Sequence, residues 1–332
     1  MADTSVTCPK CRRIFSAQAW HAGAQVACPN CGTKMGPSVK LGSGPLPTPD
    51  PHPPEVVEAL KSRDSSLGRF VLVNIIGNGA MGKVWRGWDT LLRRWVAVKV
   101  MTFKTVSMED LARFRREAKV AAQMEHPNIA PVYDLGESEG RHYIVMKLIE
   151  GMTLDRAFFQ PGAPADPRDV VAAVRDAARG VGFAHARNAI HRDLKPTNIM
   201  LDTGKIVYVM DFGLAKSMHS VGITVAGARL ILGTPGYMAP EAATGMVETV
   251  DIRSDVFSLG ATLYALLTGR LIFSGTAPMD ILQHSLKDAI PRVRALRPDL
   301  PAPLDEVLAR ATSRDKAARQ HCAARHPGAD DA

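Results

Sequence analysis

With 332 residues, the chain has room for one large domain or two medium ones plus a small appendage. Its 46% hydrophobic and 22% charged residues are ordinary for a soluble globular protein. The sequence has no apolar run of ~18 residues, which argues against a membrane span. It also lacks a secretory h-region, which predicts a cytoplasmic location. The formal net charge of +8 would suit a polyanion, but no basic stripe interleaved with aromatic residues occurs, so nucleic acid is not expected as the main ligand.

Four of the five cysteines form two Cys-x-x-Cys pairs near the N-terminus, Cys8 with Cys11 and Cys28 with Cys31. Each pair can offer two thiolates from one tight turn, and the two pairs together complete a tetrahedral sulfur site for Zn²⁺. A redox dithiol would need one such pair in a βαβ context, and disulfides do not suit the cytosol. The metal would supply the folding energy that so short a segment lacks. Residues 1–35 therefore resemble a zinc ribbon, a module that binds protein or nucleic-acid partners.

The chain after the cysteines divides by composition. Residues 36–66 are rich in Pro, Gly and Ser, which predicts a semi-extended linker without a core. Short segments rich in β-branched and aromatic residues then predict strands at Phe70–Ile76, Lys83–Asp89, Trp95–Met101 and Tyr143–Ile149. An apolar face and a capping signature predict a helix over Ser107–Met124. From Pro167 to about Arg310 helical patterns dominate, interrupted by a turn-rich stretch at 191–241, so a larger α-rich part follows a smaller β-rich part.

Residues 77–82 show the pattern Gly-x-Gly-x-x-Gly, which lets backbone N–H groups approach phosphate oxygens. A Walker loop would need Ser or Thr after its lysine, but Val84 stands there. A dinucleotide-binding turn would open a helix and have an acid ~20 residues later, whereas here a strand follows and Trp95–Lys99 holds no acid. A glycine-rich hairpin followed by a strand with Val-Ala-Val-Lys, at residues 96–99, explains both features.

Three more motifs follow: His-Arg-Asp-Leu-Lys-Pro-Thr-Asn at 191–198, Asp-Phe-Gly at 211–213 and Ala-Pro-Glu at 239–241. With these motifs in this order, the chain resembles the eukaryotic-like Ser/Thr protein kinases, the bacterial branch included, over about residues 69–320. A chance match to the whole set is negligible. The resemblance implies an α+β fold, namely the bilobal protein-kinase fold over 67–325, with a β-rich N-lobe to about residue 150 and an α-rich C-lobe from about residue 151.

The resemblance also implies transfer of the ATP γ-phosphate to Ser or Thr hydroxyls of proteins, autophosphorylation included. Asp193 would be the catalytic base and Lys195 would contact the γ-phosphate. Lys99 would clamp the α- and β-phosphates. Glu117, on the predicted helix, would pair with Lys99. Taken alone, a helix glutamate would be expected to face solvent, but the presence of Lys99 favours the pair.

Metal and nucleotide positions follow from the same resemblance. Asn198 and Asp211 would coordinate Mg²⁺ (or Mn²⁺), because hard oxygen ligands suit such ions. Met146 resembles the gatekeeper of the adenine pocket. Together with Lys99, the expected ATP-binding positions are Ile76, Gly77, Asn78, Gly79, Ala80, Met81, Gly82, Lys83, Val84, Ala97, Met146, Lys147 and Ile149.

Regulation is predicted from Arg192, since kinases with an arginine before the catalytic aspartate commonly use it to grip a phosphorylated residue of the activation segment. Bacterial relatives place threonines where this chain has residues 226–228, Ala-Gly-Ala, none of which can be phosphorylated. Thr224 is the nearest candidate, and activation without phosphorylation is the alternative. Thr234 would accompany Lys195 in the site.

Three further residues resemble structural elements of the family. Asp255 would brace the catalytic loop, and Glu241 with Arg319 would tie the activation segment to the last helices. The match weakens at residues 315–319, which lack the usual proline, and no large aliphatic residue or Phe follows Leu308, so a final helix has little to bury. A loosely held end, or truncation relative to a longer relative, is expected.

Two other functions compete with an active kinase. A pseudokinase scaffold would be favoured by loss of a key residue, but all four, Lys99, Asp193, Asn198 and Asp211, are present. The third possibility is that the zinc ribbon carries the main function and the kinase domain regulates it.

Overall fold

A computed structural model describes the protein over residues 5–8, 10–11, 14–16, 26–35, 52–79, 82–101, 108–158, 165–212, 223–225, 229–231, 234–244 and 249–319. The chain divides into two compact units, Met1–His52 and Pro53–Ala332. The cysteine pairs lie in the first unit and the kinase motifs in the second, and each unit has its own architecture.

The described residues of the N-terminal unit include two small antiparallel hairpins. The strands are β1 (Ser5–Thr7), β2 (Ile14–Ser16), β3 (Val26–Ala27) and β4 (Lys34–Met35), paired β1–β2 and β3–β4. Each hairpin connection contains one Cys-x-x-Cys pair. Among the described residues of this unit, the buried cluster is Cys8, Cys28 and Met35, with Cys11 and Cys31 packed against it. The cysteines themselves therefore form most of what the described part of this unit buries.

The second unit begins with a helix that the sequence did not predict. Pro54–Ala59 form helix α1, with a proline in its first turn, where proline is favoured because that N–H has no helical partner. Val56 is fully buried against Val71 and Trp88, a burial that contributes about 1.5–3 kcal/mol. The predicted linker of residues 36–66 is thus wrong for its last part. Its proline-rich composition concealed a short helix anchored by a single valine.

A six-stranded antiparallel sheet forms the N-lobe. Its strands are β5 (Ser66–Leu67), β6 (Phe70–Gly79), β7 (Gly82–Asp89), β8 (Arg94–Met101), β9 (Val132–Ser138) and β10 (Arg141–Lys147), in the order β5-β6-β7-β8-β10-β9. All four predicted strands are confirmed, while β9 was missed because polar residues interrupt it. Helix α2 (Met108–Ala122) confirms the predicted helix, within two residues at each end.

Alternation along β8 separates two layers of the N-lobe. Val96 and Val98 belong to an outer cluster with Phe70 and Tyr143. Residues Ala97 and Met101 belong instead to an inner cluster that includes Ala118 of α2 and Met146 of β10. Lys99 shares the inner face, and only 6% of it is exposed. The strand period therefore places Lys99 on the inner face of the sheet together with Ala97.

The C-lobe is helical and is built around two long helices. Its helices are α3 (Leu154–Phe158), α4 (Pro167–His185), α5 (Pro240–Ala243), α6 (Ile252–Thr268), α7 (Pro278–Lys287) and α8 (Ala302–Ala311). Helix α6 is buried over almost its whole length and lies in one large core with α4. It starts at the N-cap Asp251 and ends at Gly269, whose φ of +68° is the left-handed conformation that glycine adopts without strain.

Short strands lie among the loops of the C-lobe. β11 (Gly151–Thr153), β12 (Ile199–Asp202) and β13 (Val207–Val209) form a three-stranded sheet, and β14 (Ile223–Val225) pairs with β15 (Arg229–Ile231). Where the structure describes it, the stretch at 191–241 thus includes β12 to β15 as well as turns, which the turn-rich composition did not indicate. Within the described ranges, no helix is both long enough and apolar enough to span a bilayer.

Candidate active site

A cleft of about 870 Å³ lies between the β6–β7 hairpin and the segment that follows α4. The predicted nucleotide-binding residues that line it are Ile76, Gly77, Asn78, Gly79, Gly82, Val84, Ala97, Lys99, Met146, Lys147 and Ile149. Ala80 and Met81 fall outside the described residues. Lys83 does not line the cleft, because alternate residues of β7 face opposite sides of the sheet and Val84 takes the inner side.

The third glycine of the hairpin, Gly82, is required by space as well as by conformation. Its φ is +148°, and a Cβ there would lie 2.1 Å from the carbonyl oxygen of Val100. Because that oxygen belongs to the neighbouring strand, any side chain would push β7 and β8 apart. The glycine pattern therefore shapes the upper wall of the cleft.

Lys99 forms an ion pair across the cleft. Its Nζ lies 2.8 Å from Oδ2 of Asp211, and the Lys99 side chain is 8% exposed. Burial alone would raise the pKa of Asp211, but the charge and the hydrogen bond of Lys99 outweigh it and hold that pKa below its usual value. Glu117 lies on α2, but the structure does not describe its side chain, so its pairing with Lys99 stays a prediction.

Asp193 lies at the centre of a polar network. Lys195 Nζ lies 2.8 Å from its Oδ2, and the Thr234 hydroxyl donates to its Oδ1 over 3.2 Å. Asn198 Nδ2 donates to the backbone oxygen of Asp193 at 2.7 Å and to Oδ2 at 3.1 Å. Lys195 also donates to the Thr234 hydroxyl over 2.6 Å. The carboxylate is therefore held by three side chains from two different loops.

Asp255 fixes the backbone of the catalytic loop, as predicted. Its carboxylate, fully buried on α6, accepts from the backbone N–H groups of His191 and Arg192, each at 2.8 Å. It also lies 2.8 Å from His185 Nε2. His191 Nε2 in turn donates to the carbonyl of Met210 at 2.7 Å, which links this loop to the strand end before Asp211.

The predicted pair of Glu241 with Arg319 is present as a buried bidentate contact. Arg319 Nη1 and Nη2 lie 2.6 and 2.9 Å from the two carboxylate oxygens, and Ser254 Oγ donates to Oε1 over 2.7 Å. Burial would raise the pKa of Glu241, but these hydrogen bonds and the arginine charge lower it overall. Arg319 also donates to the Ser313 carbonyl at 2.6 Å. The last described residue is thus held firmly without the usual proline.

The activation segment is described only in part. Thr224 lies in β14, where its backbone is opposite Leu230 of β15, but the structure does not describe its side chain. Its role therefore stays a prediction. Arg192 has a φ of +69°, an uncommon conformation for a non-glycine residue and one typical of functional loops.

Sequence reasoning missed part of the cleft lining. The missed residues are Arg86, Leu148, Glu150, Gly151, Met152, Thr153, Asp155, Arg156, Thr197, Met200 and Met210. The two-residue strand period could have found Arg86, because it follows Val84 by two positions along β7. The others are set by the path of the chain between the lobes, which leaves no periodic signal.

The four N-terminal cysteines come together in their own unit. All four Sγ atoms lie within 4.8 Å of one another, with Cys8 to Cys31 at 3.5 Å and Cys11 to Cys28 at 3.6 Å. These distances exceed a disulfide bond. They match the ~3.7 Å expected between thiolates at ~2.3 Å from one tetrahedral zinc ion. The donor set therefore fits Zn²⁺.

The thiols differ in their surroundings. A hydrogen bond from the Thr33 hydroxyl, 3.1 Å from Cys31 Sγ, lowers the pKa of Cys31 to about 6. Burial raises the pKa of Cys28 to about 11. One side of the cluster thus already favours a thiolate, whereas the buried side disfavours an isolated negative charge.

Comparison with known proteins agrees with this geometry. The model of the protein kinase domain family matches residues 70–322, so the chain belongs to the protein kinase family. The relatives that it matches are bacterial Ser/Thr protein kinases.

Two named relatives define that likeness. The chain is 40% identical to the serine/threonine-protein kinase PknB of Mycobacterium tuberculosis (strain ATCC 25618 / H37Rv) over 268 residues, 77% of this chain and 41% of that protein. It is 35% identical to PrkC of Bacillus subtilis (strain 168) over 249 residues, 75% of this chain and 38% of that protein. The chain thus spans about two fifths of the length of the curated relatives it matches.

Proposed function

We propose that this chain is an active protein kinase that transfers the γ-phosphate of ATP to Ser and Thr hydroxyls of proteins, its own included. One observation carries the proposal: the Asp193 network and the Lys99–Asp211 pair line the same cleft, beneath the glycine-rich hairpin. A pseudokinase that served only as a scaffold would not need both the Asp193 network and the Lys99–Asp211 pair.

The residues divide the work of phosphoryl transfer between positioning and charge neutralisation. Asp193 accepts the hydrogen bond of the substrate hydroxyl and orients its oxygen for attack. Lys195, beside Asp193, faces the transferred phosphate and balances its charge. Lys99 holds the phosphates nearer the nucleoside. The Thr234 hydroxyl keeps Asp193 and Lys195 at a fixed separation.

Asn198 and Asp211 offer a donor set for Mg²⁺ or Mn²⁺. The Asn198 amide nitrogen is used by Asp193, which directs its amide oxygen to the role of ligand. The Asp211 carboxylate is the second hard oxygen group, and its lowered pKa keeps it ionised near neutral pH. When bound, the ion neutralises charge on the phosphate oxygens.

For the N-terminal unit, we propose one Zn²⁺ held by Cys8, Cys11, Cys28 and Cys31. Support comes from the sulfur distances and from the small buried cluster, which needs a metal to fold. Thiolate ligands persist in a reducing compartment, which supports a cytoplasmic location. We further assign this unit the role of binding a protein partner.

Incubation of the full chain with γ-labelled ATP, Mg²⁺ and a generic acceptor protein tests the proposed activity. We expect label in phosphoserine and phosphothreonine, and none when the divalent ion is chelated. A folded chain that binds ATP but transfers no label would show a scaffold instead. Label in phosphotyrosine would contradict the proposed hydroxyl specificity.

A further inference from the structure

Helix α1 covers the same face of the sheet that forms the roof of the cleft. Along β8, Trp95, Ala97 and Lys99 alternate with outer-face residues, so these three share the inner face. Along β7, Val84, Arg86 and Trp88 also share the inner face of the sheet. Of these, Val84 and Arg86 line the cleft. The part of this face beyond the cleft, at Trp88 and Trp95, is where α1 packs.

Two contacts join α1 to this face. Val56 is fully buried among Val71 and Trp88, with Trp95 packed against the same cluster. Glu55 Oε1 lies 3.8 Å from Arg86 Nη1, with 55% of the Glu55 side chain exposed. An exposed pair at that distance contributes little by itself. The buried valine is therefore the anchor, and the glutamate only biases the direction of the arginine.

Arg86 connects this anchor to the cleft. Its guanidinium lies over the Trp95 ring, 3.4 Å from the ring centroid, while Trp88 meets Trp95 edge-on at 5.2 Å. Arg86 is directly opposite Ala97 in the β7–β8 register. The stacked side chain is therefore held beside Ala97 in the lining of the cleft. Without its stack on Trp95, the flexible Arg86 side chain would move through the cleft that it now lines.

We propose that α1 is a positioning element for the nucleotide: by burying Val56 it fixes Trp95 and Arg86, and thereby sets the affinity of the cleft for ATP. This inference rests on the proposed kinase function. It assigns a functional role to residues that precede the predicted kinase domain. Val56 acts through Arg86 and Trp95 and does not touch the reacting groups.

Adjacent valines offer a matched pair of variants in the full chain. Val56→Asp places a charge in the buried position, whereas Val57→Asp places it at a residue that is 48% exposed. For Val56→Asp we expect the KM for ATP to rise about three- to tenfold with kcat within about twofold, as when a substrate-positioning wall is displaced. Val57→Asp should leave both constants at their wild-type values. If Val56→Asp does not fold, Val56→Ala and Val57→Ala allow the same comparison.

A double-mutant cycle separates positioning from simple stabilisation. Arg86→Ala should raise the KM for ATP. Val56→Asp combined with Arg86→Ala should raise it no further, because both changes disrupt the stack of Arg86 on Trp95. A lower melting temperature for Val56→Asp with an unchanged KM would overturn the inference, as would fully additive effects. Absence of transfer in the wild-type chain would instead contradict the proposed function, so the two failures are distinguishable.

Discussion

The two units of this chain are stabilised by different means. In the N-terminal unit, the buried cluster of the described residues consists of two cysteines and Met35. In the kinase unit, α4 and α6 contribute to one large apolar core, and buried polar networks around Asp255 and Glu241 join its loops to α6. The contrast teaches that metal supply should control the fold of one unit and leave the other unaffected.

Removal of two of the proposed zinc ligands should give the largest effect. Cys8→Ser with Cys28→Ser should abolish binding of one Zn²⁺ per chain and unfold the N-terminal unit, because too little apolar surface remains. Kinase activity should stay within about twofold, since the second unit has its own core. Elemental analysis and the phosphate-transfer assay measure the two outcomes.

The fifth cysteine provides the control. Cys322→Ser should keep the zinc, because Cys322 is far in sequence from the two pairs. Zinc retained after loss of Cys8 and Cys28 would contradict the proposed zinc site. Kinase activity lost together with zinc would show that the kinase unit depends on the N-terminal unit.

The next largest effect is expected inside the kinase unit, at Arg319. Arg319→Ala leaves the Glu241 carboxylate without its two charged hydrogen bonds and should lower the free energy of unfolding by about 3–5 kcal/mol. Urea unfolding measures this loss. Arg310→Ala, at an exposed position near the end of α8, should cost less than about 0.5 kcal/mol.

The same pair predicts a pH dependence. The pKa of Glu241 is lower in the folded protein than in the unfolded chain, so the stabilisation is complete above the unfolded value of about 4.3 and is lost as the pH falls through the folded value. Unfolding measured between pH 7 and pH 3 should show this loss in the wild type. A similar acid loss in Arg319→Ala would contradict the assignment to Glu241.

A smaller effect is expected from the Thr234 hydroxyl, which joins the proposed catalytic groups Lys195 and Asp193. Thr234→Val removes the contacts to Lys195 and Asp193 and should lower kcat about 10- to 100-fold, with little change in the KM for ATP. Thr234→Ser keeps the hydroxyl and should stay near the wild type. Undiminished kcat in Thr234→Val, or an equal loss in Thr234→Ser, which keeps the hydroxyl, would contradict this role of the hydroxyl.

The smallest effect is expected in the activation segment. We propose that Thr224 is autophosphorylated and that phosphate binding by Arg192 orders the segment. Thr224→Ala should then lower activity several-fold without changing the zinc content, and mass spectrometry should find the phosphate on Thr224. No phosphate there, together with full activity of the variant, would favour activation without phosphorylation.

The catalytic motifs could be predicted from the sequence because each function requires a particular residue type at a particular spacing. Asp255 and the pair of Glu241 with Arg319 were also predicted, although these partners are distant in sequence, because the family resemblance indicated them. The contacts themselves, such as those of Asp255 with two backbone N–H groups, could be seen only in the structure.

Other features could not be predicted because their cause is tertiary. Helix α1 has a single buried valine, and its surroundings are prolines, so neither periodicity nor composition favoured a helix. Strand β9 includes Asp134 and Glu137 and is recognisable only by its pairing with β10. The role of Arg86 depends on Trp95 from the next strand, which no local pattern shows.

The comparison of Asp193→Asn with the wild type tests the central claim most directly. Asparagine keeps the shape of the side chain but cannot act as the base, so phosphate transfer should fall by about 10²- to 10⁴-fold. ATP affinity, measured on the same folded protein, should change by less than about threefold, because Asp193 acts on the substrate hydroxyl. Undiminished transfer, or an equal loss of ATP binding in a folded variant, would contradict the assignment of this cleft as a kinase active site.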